Sequence, residues 1–320
     1  MNPKNKLSIF SGILSVFLFL LSGCSSPTHA AEKKQAISVS GAFALYPLMT
    51  RWAEEYQQIH PEIVFDISAG GAGKGMADAL GGVVDIGMVS RDITPEEEAK
   101  GAFWVAVTKD AVFPTMNFNN PVKDLILQKG FSRDVFYGIF ISGEITTWGQ
   151  TVADLQYQDP IHVYTRSDAA GAPETWAKYL GKKQEDLLGV GVFGDPGLVE
   201  AVAKDPLGIG FNNLGYAYDQ SSGDPVSGIW IIPIDVNENQ LADEDEILDT
   251  KEKAIEAVAS NRYPSPPARQ LYLVTKGKPT GFVLDFIYWV LTDGQQYVNE
   301  AGYIQLTQTQ LQENLEKLKP

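Results

Sequence analysis

A chain of 320 residues with 44% hydrophobic and 20% charged side chains carries apolar material for about two domains, which excludes a disordered protein. Its formal charge of −15, from 40 acidic against 25 basic residues, disfavours nucleic acid as a partner, because no basic stripe interrupts it. The same excess repels anions at long range, so an anion site has to act through close donors, distant charges being screened beyond about 8–10 Å. At the N-terminus, Lys4 and Lys6 precede an apolar run from Leu7 to Leu21 and then Leu21-Ser22-Gly23-Cys24. This has the form of a bacterial lipobox: residues 1–23 a lipoprotein signal peptide, Cys24 the lipidated residue, and 24–35 a polar tether. A plain secretory signal or an uncleaved anchor helix are the alternatives. Cys24 is the single cysteine and cannot form an internal disulfide, and removing the signal leaves 23 basic against 40 acidic residues, a formal −17. No later apolar run is long enough to span a bilayer.

Ala36–Ser40 alternates as a short strand, and Gly41-Ala42-Phe43-Ala44-Leu45-Tyr46-Pro47 leads into a helix with Leu48, Trp52, Tyr56 and Ile59 on one face, ended by His60-Pro61. Glu62–Ile67 follows as a strand. The small-residue loop Ser68-Ala69-Gly70-Gly71-Ala72-Gly73-Lys74-Gly75 then opens onto a short helix, Met76–Leu80. Val83–Met88 predicts a buried strand, Ser90-Arg91-Asp92 follows it, and Thr94-Pro95-Glu96-Glu97 has the form of a helix start with a capping box. Strand, helix, strand, helix in this order predicts a parallel α/β layer.

Trp104–Thr108 and Ala111–Asn117 read as extended segments crossing into a second lobe. There Ser132 caps a helix to about Phe140, Ser142–Gly149 is a loop, and Ile161–Thr165 alternates as a strand. That strand delivers Arg166-Ser167-Asp168-Ala169-Ala170-Gly171-Ala172-Pro173, with Pro173 suited to the first helical position, a helix Glu174–Leu180, and Gly181 as its stop. A fixed cation running into tiny residues at a helix start is an anion seat, since unpaired amides lie there at the positive end of the helix dipole. An ordinary turn with Arg166 on the surface is the bland alternative. Pro196–Lys204 predicts a helix, Leu207–Phe211 and Trp230–Ile234 strands, and Asp243–Asp249 an acidic run capping a helix Thr250–Ser260. Leu271–Val274 crosses back, and helices over Phe282–Leu291 and through Tyr297 with the segment Gly302–Leu306 complete the first lobe. The expected lobes are 36–114 with 272–320, and 115–271. Two crossings predict a hinge between them.

Several motifs fail. In the glycine loop a phosphate-loop glycine would fall on Ser68, and the Ser/Thr required after Lys74 is Gly75. Gly189-Val190-Gly191-Val192-Phe193-Gly194 fits a dinucleotide fingerprint by letter, but it follows a helical pattern and is set aside as chance. No nucleophile elbow occurs, and His29, His60 and His162 lack metal-ligand spacing. No cofactor and no catalytic residue is expected.

Gly41–Leu48, the glycine loop, Val84-Asp85-Ile86-Gly87, Ser90-Arg91, Ile139-Phe140, Gly143–Trp148, Arg166-Ser167-Asp168, Leu207–Phe211, Leu271–Pro279, Gly294-Gln295 and Gly302-Tyr303 occur in an order that resembles the substrate-binding proteins of phosphate-type ABC importers. The resemblance covers nearly all of the chain after the signal. It implies a type II periplasmic-binding-protein fold, two α/β lobes joined by two crossover strands with a ligand cleft between them. Carried over by position, the ligand-binding residues are Ala42, Phe43 and Ala44 in the first loop, Ala72 and Gly73 in the second, Ser90 and Arg91, Arg166, and Ala170, Gly171 and Ala172. Relatives usually place hydroxyls around the anion. This chain has Phe43, Ala44, Ala72, Ala170, Gly171 and Ala172 there, and Arg91 where some relatives have an acid. Ser40, Ser68, Ser90, Ser167 and Lys74 are the candidate replacement donors.

The resemblance implies a non-enzymatic, monomeric receptor, lipid-anchored outside the cytoplasm, that captures a small oxyanion, phosphate first, for an ABC permease. Another anion or small metabolite, or a surface-anchored adhesion or accessory protein, is the alternative function. A phosphatase is a third, without a visible nucleophile.

Overall fold

The computed structural model describes residues 35–153 and 157–319. The expected signal peptide, Cys24 and the tether to residue 34 lie outside the described residues. No described helix is long and apolar enough to cross a membrane.

The chain runs β1 (Gln35–Gly41), α1 (Tyr46–Ile59), β2 (Ile63–Ala69), α2 (Ala72–Gly81), β3 (Ile86–Val89), α3 (Pro95–Ala99) and β4 (Ala102–Asn117), with a 3-10 turn Phe43–Leu45 before α1. Next come α4 (Lys123–Lys129), α5 (Arg133–Tyr137), α6 (Trp148–Val152), β5 (His162–Arg166), α7 (Gly171–Tyr179), β6 (Val190–Val192), α8 (Gly194–Lys204), β7 (Gly208–Asn213), α9 (Leu214–Ala217), β8 (Ile229–Ile231) and α10 (Lys251–Ala259). Finally β9 (Ala268–Lys276), α11 (Gly281–Leu291), α12 (Gln296–Glu300) and α13 (Gln308–Leu318) return to the first core.

One sheet runs through the molecule in the order β2-β1-β3-β9-β4-β7-β5-β6, with β8 also on β4. The pairs β2–β1, β1–β3, β7–β5 and β5–β6 are parallel, and the long strands β4 and β9 are antiparallel partners. Along β4 the partner changes: Ala102–Ala111 pair with β9, and Val112–Met116 with β7. Two apolar cores flank this change. One is built around Ile37, Leu48, Trp52, Ile86, Val105, Leu273, Phe286 and Tyr303, the other around Phe113, Phe136, Phe140, Trp148, Trp176, Leu198, Phe211 and Tyr218. In each, the periodicity of the segment decides the buried face: Leu48, Trp52 and Tyr56 of α1 recur every four residues and are buried. Ile59, expected on that face, sits at the helix end and is 58% exposed.

Several elements differ from expectation. The two extended segments over 104–117 are one strand of 16 residues, β4, carrying a bulge between Ala106 and Thr108. The bulge leaves backbone groups without ladder partners, and two side chains take them: Asn314 Oδ1 accepts from the Ala106 amide at 2.9 Å, and Gln295 Nε2 donates to the Val107 carbonyl at 3.0 Å. Asn314 belongs to α13, a helix absent from the expectation although Thr307 and Gln310 form a capping box at its start. The expected loop 142–149 ends in a helix, with Thr147 and Gln150 as the capping box of α6, and the helix ending near Phe140 passes into a π turn at Gly138–Ser142. The acidic run before α10 does not cap it: Thr250 accepts from the Lys253 amide, while Asp243 and Glu246 bind Asn237, Asn239 and the Val236 amide. Trp230–Ile234 is strand only over Ile229–Ile231.

Trp176 tests the packing of the second core, because it is fully buried among Phe136, Phe140 and Phe211 at ring separations of 5.0, 5.7 and 5.9 Å. Its indole Nε1 has no hydrogen-bond partner among the described residues. Trp176→Ala should therefore cost about 3–5 kcal/mol through the cavity it leaves, and Trp176→Phe, which forfeits no hydrogen bond, less than about 1.5 kcal/mol; urea midpoints compare the two.

Candidate functional site

In a parallel layer the ligand crevice opens beyond the carboxyl end of the strand from which connections leave in both directions. β1 holds that place in one half, flanked by β2 and β3, and β5 in the other, flanked by β6 and β7. The residues leaving β1 are Gly41–Ala44, and those leaving β5 are Arg166–Ala172.

The two ends meet. The Gly73 amide of α2 donates to the Ala169 carbonyl at 3.1 Å. A Cβ on Gly71 would lie 2.8 Å from the same carbonyl, and one on Gly171 would lie 2.1 Å from Ser90 Oγ and 2.2 Å from the Ser90 carbonyl. Glycine at 71 and 171 is what lets these backbones approach so closely. The Phe43 ring faces the Arg166 guanidinium at 5.4 Å. Ala42, Phe43, Ala44, Ala72, Gly73, Ser90, Arg166, Ala170, Gly171 and Ala172 thus belong to one region.

Helices α2 and α7 both begin earlier than expected, at Ala72 and Gly171 in place of Met76 and Glu174, and Pro173 is the third residue of α7. The shift puts Ala72 and Gly73, and Gly171 and Ala172, in first turns, where amides have no intrahelical acceptor; Phe43 and Ala44 stand likewise at the start of the 3-10 turn. Three of the predicted amides are already engaged: Ala42 donates to the Met88 carbonyl at 2.9 Å, Gly73 to Ala169, and Ala170 to Gln184 Oε1 at 3.3 Å.

Arg166 is not a surface residue: its side chain is 0% exposed. A buried guanidinium must be paired, because the desolvation it suffers amounts to several kcal/mol. Asp168 takes Nε at 2.8 Å and Nη2 with its other oxygen, and Asp195 takes Nη1 at 2.6 Å. Burial alone would lower the pKa of this guanidinium, but Asp195 and Asp168 outweigh it and raise it further. Asp195 in turn accepts from Asn213 Nδ2, and Asn213 Oδ1 from Arg269 Nη2, which also donates to Asp110 at 3.2 Å. A line of buried polar groups therefore runs from the crevice to the point where β4 changes partner.

The remaining candidates are occupied otherwise. Arg91 is held by Glu97 at 2.6 Å and Glu174 at 3.2 Å, and Ser40 and Lys74 both bind Asp78. Burial works against ionised Asp78, yet Lys74 and Ser40 hold its carboxyl below the ordinary value. Ser68 and Ser167 are exposed. Beside the region, toward β9, lies a polar cavity of about 390 Å³ lined by Arg91, Lys109, Glu174, Lys178 and Arg269 among others. No group of side chains among the described residues suits a metal ion.

Sequence reasoning missed Asp195 and Asn213. Val190–Val192 is a strand, parallel to β5, and Phe193-Gly194-Asp195 is a second strand-to-helix opening, so the segment set aside as a chance motif carries Asp195 to Arg166.

A sheet with parallel strands in each half, two antiparallel strands shared between halves, and loops that face each other beyond β1 and β5 define a two-lobed binding-protein fold of type II. The chain belongs to the PBP superfamily, whose domain profile matches residues 26–294. Among curated proteins it is similar to the phosphate-binding protein PstS of Methanocaldococcus jannaschii, 26% identical with 95% of this chain and 92% of that protein covered. It is likewise similar to PstS of Bacillus subtilis, 25% identical with 95% of each covered. Among solved structures, a Clostridium perfringens phosphate ABC transporter substrate-binding protein with bound phosphate superposes with a TM-score of 0.67 at 24% identity, covering 85% of this chain and all of that one.

Asp110 gives the site's pH signature. Burial, only partly offset by Arg269, raises its carboxyl from 3.8 to about 6. The folded state then holds the proton more tightly than the unfolded chain, so the stabilisation is complete below pH ~4 and is lost as the pH rises through about 6. Urea midpoints of the wild type should lose about 2–3 kcal/mol over that interval from this group, each tenfold difference in proton affinity being worth ~1.4 kcal/mol, and Asp110→Asn should lack that slope.

Proposed function

We propose that this protein is an extracytoplasmic solute receptor of an ABC importer that closes its two lobes on a small oxyanion, with phosphate the first candidate. The observation that carries the reading is the meeting of small-residue helix starts from both lobes at the buried guanidinium of Arg166. Helix N-termini with free amides suit an anion, and loops without bulky side chains let the ligand reach them. Phe43, Ala44, Ala72, Gly171 and Ala172 would supply main-chain donors, and Arg166 the charge. The lobes would be residues 36–114 with 272–320, and 115–271, turning about β4 and β9. Ligand would shift an open–closed equilibrium and present the closed form to the permease. Anchoring through Cys24 and a monomeric receptor complete the reading.

Its support from relatives is the name carried by the Methanocaldococcus jannaschii and Bacillus subtilis proteins, phosphate-binding protein. A specific observation favours a second reading, another anion, a small metabolite or an accessory role on the same fold: Arg166 is matched by two carboxylates, and the loops offer alanine and glycine where the resemblance implies hydroxyls.

Calorimetry of the full chain with sodium phosphate decides between them. Saturable binding is expected; silence with phosphate alongside stabilisation by another anion or metabolite would shift the assignment to the second reading. Gly171→Ala should leave the fold intact but wedge the lobes apart at Ser90, weakening ligand at least tenfold and abolishing the ligand-induced contraction seen by small-angle scattering.

A further inference from the structure

An oxyanion binds arginine best through two parallel N–H groups on one edge of the guanidinium. In this protein the edge formed by Nε and Nη2 carries Asp168, and Nη1 carries Asp195 at 2.6 Å. The face of the group is covered by Phe43 at 5.4 Å, and Phe193 packs edge-on against Phe43 at 6.0 Å. Three of the five guanidinium N–H groups are thus taken: an incoming anion cannot use the Nε–Nη2 edge while Asp168 stays, and at Nη1 it competes with Asp195.

Asp168 sits two residues from Arg166 and also accepts from the Gly194 amide at 3.1 Å. Asp195 comes from elsewhere, from the start of α8, and three features hold it in place. Gly194 adopts a φ of +74°, which turns the chain inward, and a Cβ there would lie 3.1 Å from the Phe43 ring. Asn213 Nδ2 donates to Asp195 Oδ1. The carboxylate is 1% exposed and so depends on these partners for its solvation. Together Arg166, Asp168 and Asp195 carry one net negative charge at the place where the oxyanion reading needs a positive one.

We propose that Asp195 is an internal counter-anion: it occupies the Nη1 position of Arg166 in place of the ligand and sets the receptor's affinity by having to give up that contact when an oxyanion binds. The proposal rests on the oxyanion reading and makes Asp195 a specificity-determining residue of that site. An oxyanion that displaces it exchanges one charge-assisted bond for another and gains little, whereas an uncharged residue at this position returns the guanidinium to the ligand. Asp195 then remains tied to Asn213, so displacement also pulls on the line to Arg269 and Asp110.

The test is titration calorimetry of the full chain and of Asp195→Asn and Asp195→Ser with inorganic phosphate, each variant first checked for a cooperative melt. Serine is included because asparagine would turn an amide toward Arg166 or Asn213 and destabilise the fold. The expected result is phosphate bound at least tenfold more tightly by a folded variant than by the wild type, and binding by the variant alone would support the proposal equally. Wild-type binding that the folded variants match or fall below would overturn it and leave the receptor reading standing. If neither the wild type nor the folded variants bind phosphate, sulfate or arsenate, the oxyanion reading fails and the proposal goes with it.

Discussion

A guanidinium with no exposure to water has to be met by charge, and the arrangement around Arg166 follows from that necessity. The strand β5 fixes the backbone of Arg166, the turn after it supplies Asp168, and the next strand-to-helix opening supplies Asp195. Because Asp195 is itself buried, it needs Asn213, whose amide oxygen needs Arg269, whose charge needs Asp110. Each partner is recruited by the desolvation of the one before. The sequence of contacts ends on β4 and β9, so one buried charge at the crevice determines side chains as far as the strands that join the lobes.

The close approach of the lobes has a different origin, in size. Gly71 and Gly171 leave no room for a methyl group against Ala169 and Ser90, and Gly73 hydrogen-bonds across the gap. Charged pairs, the exposed Lys178 with Asp92 and the mostly buried Arg91 with Glu174, lie around the same seam. Exposed pairs such as Lys178 and Asp92 contribute about 0–1 kcal/mol each. Steric fit of the small loops therefore decides how near the lobes come, and the ion pairs add direction more than strength.

Much of the fold could be read from local chemistry. Thr94 and Glu97 form the expected capping box, Gly181 takes a positive φ just past α7, and His60 ends α1. The order of strands and helices gave the parallel layers. What could not be read is decided by contacts distant in the chain. Gly71, Gly73 and Gly171 have poor helix preference, so the helix starts at Ala72 and Gly171 form against the facing loop, which no local pattern records. The three residues of β6 are too few to display alternation, so Asp195 was hidden behind a glycine motif of another meaning. The sequence pattern located Arg166 but could not say that two of its own carboxylates would claim it, because burial is a property of the folded neighbourhood.

The bulge on β4 has a mechanical side. Its loosened peptide groups are gripped by Asn314 and Gln295, side chains from the C-terminal helices, a few residues from the place where the strand passes between cores. A clamp at an irregular stretch of strand restores the hydrogen bonds that the bulge takes out of the ladder, so the shared strand stays continuous there. The C-terminal segment thereby braces the shared strand from the side of the first core, a few residues before that strand enters the second.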